Sequence, residues 1–128
     1  MALSSLTTLK KRSEFLAVRN GLRWSNSSFV LEARSRPESA TGPAGARFGF
    51  TVSKKIGGAV VRNRVRRRLR ALATALAPDH VRQGYDYVLI ARPGAVERAY
   101  GDLKADLEQA LARVHQPQSA KGRARKPE

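Results

Sequence analysis

Apolar residues recur along this chain with two rhythms, a period of two and a period near 3.6, and their order predicts the elements. Residues 13–18 are a short apolar-rich stretch, Ser-Glu-Phe-Leu-Ala-Val, with Ser13 as its expected N-cap and Asn20-Gly21 as its stop. That predicts one to two turns of helix. Leu22-Arg23-Trp24 and then residues 28–34 (Ser-Phe-Val-Leu-Glu-Ala-Arg) flank Ser25-Asn26-Ser27 as turn material, which predicts two strands joined by a hairpin-like link. Residues 35–46 hold two Pro and two Gly without periodicity and are expected to form a loop. Residues 47–53 alternate cleanly: Phe48, Phe50 and Val52 share one face, and Gly49, Thr51 and Ser53 share the other.

After Gly57-Gly58 the rhythm changes. Val61, Val65, Leu69, Leu72 and Leu76 form one stripe of a helix that Pro78 is expected to end. Residues 85–91 (YDYVLIA) are a nearly continuous apolar run, as in a central strand. Within residues 97–114, Tyr100, Leu103, Leu107, Leu111 and Val114 mark a second amphipathic helix. Residues 116–128 contain no apolar residue beyond alanine, so they cannot offset their ordering entropy and are expected to be a disordered basic tail on a single domain spanning residues 1–115. There are no internal repeats. The predicted order is α-β-β-β-α-β-α, an α+β fold with helices packed on a four-stranded sheet.

Charge narrows the function classes. Among 128 residues, 25 Lys and Arg face 10 Asp and Glu, a net charge of +15. So much like charge calls for a polyanionic partner, nucleic acid or less often an anionic membrane surface. No apolar run approaches the ~20 residues of a membrane-spanning helix. Lys10-Lys11-Arg12 follows a polar-rich stretch, the reverse of a secretory signal, so no targeting segment is expected. The chain has no cysteine, which suits a reducing cytoplasm and removes disulfides and thiolate metal sites.

Residues 47–70 carry nine basic side chains and no acidic one. On a wheel of ~100° per residue, Val61, Val65, Leu69 and Leu72 fall within roughly 80°. Arg62, Asn63, Arg66, Arg67 and Arg70 occupy the opposite arc, and Arg64 and Arg68 sit on the far shoulder. A charge run on a helix is commonly no more than a solvated face. Ordinary solvated faces, however, mix signs, whereas Arg62/Arg66/Arg70 and Arg64/Arg68 are like-charge (i, i+4) pairs that repel by a few tenths of a kcal/mol each. Phosphates would neutralise that repulsion, and guanidinium suits bidentate phosphate contact and base stacking.

Other chemistry is sparse. Gly57-Gly58 lacks a nucleotide-binding pattern and is expected to be a tight turn. His80 and His115 are expected on the surface, and Asp102, Asp106 and Glu108 are expected as solvating charges on the outer face of the last helix. No carboxylate cluster, metal-ligand set or Ser/His/Asp arrangement suggests chemistry carried by the protein itself.

Ser53-Lys54-Lys55-Ile56-Gly57, followed by Ala59-Val60-Val61-Arg62-Asn63-Arg64-Val65-Arg66-Arg67, closely resembles the ribonuclease P protein family, whose signature is an Arg-Asn-Arg helix after a strand ending in Ser-Lys-Lys. The likeness runs from Leu9-Lys10-Lys11 and Phe15 through Phe29-Val30-Leu31 and residues 86–92 to about Arg113. It implies an RNA-binding subunit of a ribonucleoprotein endoribonuclease that removes the 5′ leader of precursor tRNA. Hydrolysis would be carried by a catalytic RNA with Mg²⁺, with no protein-bound cofactor, no catalytic side chain, no protein partner required and no membrane. It also implies a left-handed β-α-β crossover, against the usual right-handed rule.

Carried over by position, Lys54, Lys55, Arg62, Asn63, Arg64, Arg66, Arg67 and Arg70 would meet the catalytic RNA. Lys11, Phe15, Arg19, Val30, Glu32 and Thr51 would form a leader-binding cleft between the first helix and one sheet face. Two positions depart from many relatives: Arg19 replaces an aromatic and Glu32 a tyrosine. Arg19 is then expected to supply stacking and charge. Glu32 would repel a leader phosphate unless it pairs with Arg19 or accepts a hydrogen bond from a base. The competing reading makes Phe15 plain core and Arg19 a solvated residue. A basic ribosomal or other structural RNA-binding protein is the alternative function, and it would explain the charge but not the spacing of the Ser-Lys-Lys to Arg-Asn-Arg block.

Overall fold

The computed structural model describes residues 8–9, 12–19, 21–36, 46–82 and 84–115, with Pro78 and Asp79 as backbone. The elements follow the expected order: α1 (Arg12–Val18), β1 (Leu22–Ser25), β2 (Phe29–Ser35), β3 (Arg47–Thr51), α2 (Ala59–His80), β4 (Tyr85–Ala91) and α3 (Tyr100–Val114). Single 3₁₀ turns at Lys54–Ile56 and Pro93–Ala95 lead into α2 and α3. Lys11, most of the loop expected over 35–46 and the tail expected over 116–128 lie outside the described residues.

The sheet order is β1-β2-β4-β3. β1–β2 and β2–β4 are antiparallel, while β3 pairs with β4 in parallel, Phe48 opposite Tyr87. A parallel neighbour needs a long crossover, and here that crossover is α2. The period-two face of β3 and its counterparts on β2 and β4 form the main core, where Phe48, Leu31, Tyr87 and Leu89 meet α2 through Leu69 and Leu72 and α3 through Leu103 and Leu107. Each such side chain contributes about 1.5–3 kcal/mol on burial. The opposite sheet face carries a smaller cluster of Leu9, Val18 and Val88, with Phe15 and Ile90 packed against it. α1 covers that face, which explains why β4 is apolar on both sides.

α1 begins at Arg12, so Ser13 is inside the helix and not its cap. Its stop is as expected: the Gly21 N–H donates to the Val18 carbonyl at 2.9 Å. In the β1–β2 turn, Asn26 Oδ1 accepts from the N–H groups of Ser28 and Phe29, both at 2.9 Å. β3 ends at Thr51 rather than Ser53, because the Ser53 carbonyl already accepts from Ile56 N–H at 3.0 Å in the turn that follows.

Several expectations change. α2 does not end at Pro78 but continues to His80, closed by Val81 N–H on the Ala77 carbonyl at 3.3 Å. A proline removes one backbone donor, a small loss in a final turn where few carbonyls remain to be served. α3 starts at Tyr100 rather than Glu97. The reason is Arg68, whose guanidinium donates to the carbonyls of Ala95 and Arg98 and holds that backbone out of the helix. Arg68 is therefore a structural residue and not part of a free guanidinium surface. Asp106 is no simple solvating charge either: it accepts from Ser28 Oγ at 2.7 Å and from Arg98 Nε and Nη2 at 3.0 and 3.1 Å.

His115 is likewise not a plain surface histidine. Its ring packs edge-on to Tyr85 and Tyr87, with Nε2 2.6 Å from the Tyr87 hydroxyl. Burial lowers its pKa from 6.5 to about 4, with the Arg82 charge adding to the effect.

Candidate nucleic-acid interface

Two surfaces on opposite sides of the sheet gather the predicted residues. The first is the outer face of α2 and the turn before it. Gly57, at φ 152°, allows the sharp entry into α2, where any Cβ would be strained and would also meet Val61. Lys54, Lys55, Asn63, Arg64, Arg67 and Arg70 are exposed. Arg62 is half-buried, its Nε donating to the Gly57 carbonyl at 3.2 Å, and Arg66 donates to Asn63 Oδ1 at 2.9 Å. The described ion pairs lie elsewhere, at Arg36, Arg47 and Arg98. The α2 arginines thus stand as an unneutralised positive ridge on a rigid element, able to engage several phosphates at once.

The second surface is an open cleft of about 520 Å³ between α1 and the sheet face that α2 does not cover. Of the expected residues, Phe15, Arg19, Glu32 and Thr51 line it together. Val30 lies on the same face, opposite Ile90, but is buried at 8 % exposure and does not line the cleft. Arg12, Leu16, Phe50, Val88 and Ile90 complete the lining. These five were not singled out from sequence. For Val88 and Ile90 the signal was available in the two-sided apolar character of residues 85–91.

Gly49 sets the position of Phe15: a Cβ there would lie 2.5 Å from Phe15 Cε2, so only glycine lets the ring rest on β3. α1 is fixed from its other side by charge. Asp86 is 3 % exposed and accepts from Arg36 at 2.7 Å and from two Arg47 nitrogens at 2.9 and 2.8 Å. Arg47 also reaches Glu14 on α1 at 3.2 Å.

Glu32 is the exception in this arrangement. It is 4 % exposed, and no hydrogen bond or ion pair to it is found among the described residues. Burial raises its pKa, while the charges of Arg23 and Arg19 pull it back down. Chemically, the cleft offers an aromatic ring, a guanidinium and a buried carboxylate within one groove, while α2 offers only cations and an amide. Among the described residues no three His, Asp or Glu side chains converge to hold a metal ion. No helix among the described residues is long and apolar enough to cross a membrane.

The family model described as Ribonuclease P matches residues 3–115 of this chain. The chain is 44 % identical over 117 residues to the ribonuclease P protein component of Ruegeria pomeroyi, covering 91 % of this chain and 92 % of that protein. It is 44 % identical over 110 residues to the protein component of Paramagnetospirillum magneticum, covering 85 % and 83 %. Among solved structures, the RNase P protein of Staphylococcus aureus superposes with a TM-score of 0.70 at 27 % identity, over 88 % of this chain and all (100 %) of that one. The RNase P protein of Thermotoga maritima superposes with a TM-score of 0.70 at 24 % identity, over 85 % and 98 %, a likeness of fold.

Proposed function

Since the chain belongs to the ribonuclease P protein family, we propose that its two basic surfaces divide the work of that ribonucleoprotein. The protein is a subunit of an endoribonuclease that matures the 5′ ends of tRNA, and it works with the ribonuclease P RNA and precursor tRNA. A family match over most of the chain leaves the ribosomal alternative without support.

In our reading the α2 ridge docks on the catalytic RNA through Lys54, Lys55, Arg62, Asn63, Arg64, Arg66, Arg67 and Arg70. The cleft receives the single-stranded leader. The observation that carries this division is spatial: a free cationic ridge and an aromatic-floored groove occupy opposite faces of one sheet, so the protein can bridge two RNA segments at once. Phosphates on the ridge supply affinity, and stacking in the cleft supplies sensitivity to a leader. Phe15, held flat by Gly49, forms the apolar wall, and Arg19 covers a base while its charge meets a phosphate. Hydrolysis is assigned to the RNA subunit with Mg²⁺, acting in the bacterial cytoplasm, and the protein contributes no reacting group.

The test is a substrate comparison in the reconstituted holoenzyme. Arg19→Ala should weaken binding of precursor tRNA with a leader of several nucleotides by ~1–2 kcal/mol, the scale of one stacked base, and leave mature tRNA unchanged. Equal losses for both substrates would place Arg19 outside leader binding.

A further inference from the structure

Two buried carboxylates lie on the cleft side of the sheet, and they are treated oppositely. Asp86 is held by two guanidinium groups. Glu32 is as deeply placed, at 4 % exposure, yet lines the cleft without a hydrogen bond from any described residue. Its cross-strand neighbour Arg23 and the nearby Arg19 both remain exposed, and neither forms an ion pair with it. The carboxylate oxygens are not sealed from solvent, so a ligand that fills the groove displaces their water and must supply hydrogen-bond donors in its place.

The surrounding charges say which part of a nucleotide those donors belong to. Glu32 repels phosphate, while the exposed Arg19 and Arg23 attract it. A strand in the cleft is therefore oriented with its backbone along the rim and a base edge pointing down at Glu32. An ionised carboxylate presents two acceptors and no donor. On the edge that single-stranded bases expose, guanine offers two adjacent donors, N1–H and N2–H. Adenine and cytosine place an acceptor beside their single amino group, and uracil flanks its one N–H with two carbonyls. Only guanine satisfies both oxygens without setting an acceptor against one of them.

We propose that Glu32 is a specificity-determining residue that makes this cleft select a guanine at one leader position of precursor tRNA. This rests on the leader-binding reading of the cleft given above.

The experiment uses the reconstituted holoenzyme and precursor tRNAs with an all-uridine leader into which one guanine is moved position by position, with mature tRNA as the leaderless reference. One register should bind on the order of 10-fold more tightly than the all-uridine leader, the scale of one bidentate base contact. Adenine or cytosine at that position should not reproduce the gain, and inosine, which lacks the N2 amino group, should lose much of it. Glu32→Gln keeps the shape of the side chain, removes the buried charge and turns one acceptor into a donor. It should abolish the guanine advantage while the leader as a whole still strengthens binding over mature tRNA. If every register binds alike while the leader still helps, the assignment of Glu32 is overturned and the cleft reading stands. A guanine advantage that persists in Glu32→Gln also overturns it. If the leader adds nothing over mature tRNA, both readings fall together.

Discussion

At His115 burial decides a protonation state. The Tyr87 hydroxyl accepts from Arg82 N–H at 2.9 Å and lies 2.6 Å from His115 Nε2, a contact that a neutral imidazole can make. The fold favours the neutral ring, with a pKa of about 4 against 6.5. Stability from this contact is thus fully present above about pH 6.5 and is lost as pH falls toward about 4. Urea unfolding at pH 7 and pH 4.5 should show wild type losing about 1 kcal/mol more than His115→Gln over that interval, after allowance for solvent screening of a half-buried ring. Equal losses would mean that His115 is not held neutral. Gly49 makes a different demand, for space alone. Gly49→Ala would push a methyl group to 2.5 Å from the Phe15 ring. It should weaken leader-bearing substrate by ~1–2 kcal/mol, one base's worth of stacking, with mature tRNA affinity unchanged in the same titration.

Among elements, α2 shows that neighbouring arginines on one helix can have unrelated roles. Arg67 is exposed, while Arg68 is tied to carbonyls of the segment entering α3. Arg67→Ala should leave the unfolding midpoint almost unchanged and flatten the log affinity versus log salt slope for the catalytic RNA by roughly 0.7–0.9. Arg68→Ala should do the reverse, costing about 1–2 kcal/mol of stability through lost hydrogen bonds with a smaller change in slope. α1, at 7 residues, is too short to persist alone and depends on its docking. Arg47→Ala removes two bonds to Asp86 and the link to Glu14. It should cost about 2 kcal/mol in urea unfolding, a measure of how firmly charge holds the cleft wall in place. A null effect would leave apolar packing as the main anchor.

For the whole molecule, a net charge of +15 on a small α+β domain destabilises the free protein and favours a polyanion-bound state. The architecture presents a ridge and a groove and assembles no acid, base or nucleophile set among its described residues. Rigorously RNA-free protein should therefore leave precursor tRNA intact at any protein concentration, and addition of the catalytic RNA at low Mg²⁺ should restore 5′ cleavage. Cleavage that tracks protein concentration without RNA would refute this division of labour.

The order of elements, the apolar stripes of β3, α2 and α3, and the arginine ridge are all legible in the amino-acid sequence, because each is a local periodicity read directly from spacing. The Arg-Asn-Arg block at its spacing also carried the family. Contacts between residues distant in the chain arose only from packing. Tyr87 and His115 are 28 positions apart, and Ser28 and Asp106 are 78 apart. Spacing reports which face a side chain takes but not what stands opposite it. Glu32 shows the consequence most clearly. Its alternation on β2 placed it away from the main core, where a carboxylate would ordinarily meet water. The docking of α1 over that face made the site a cleft and left Glu32 buried beneath its opening, a result of packing that no local pattern encodes.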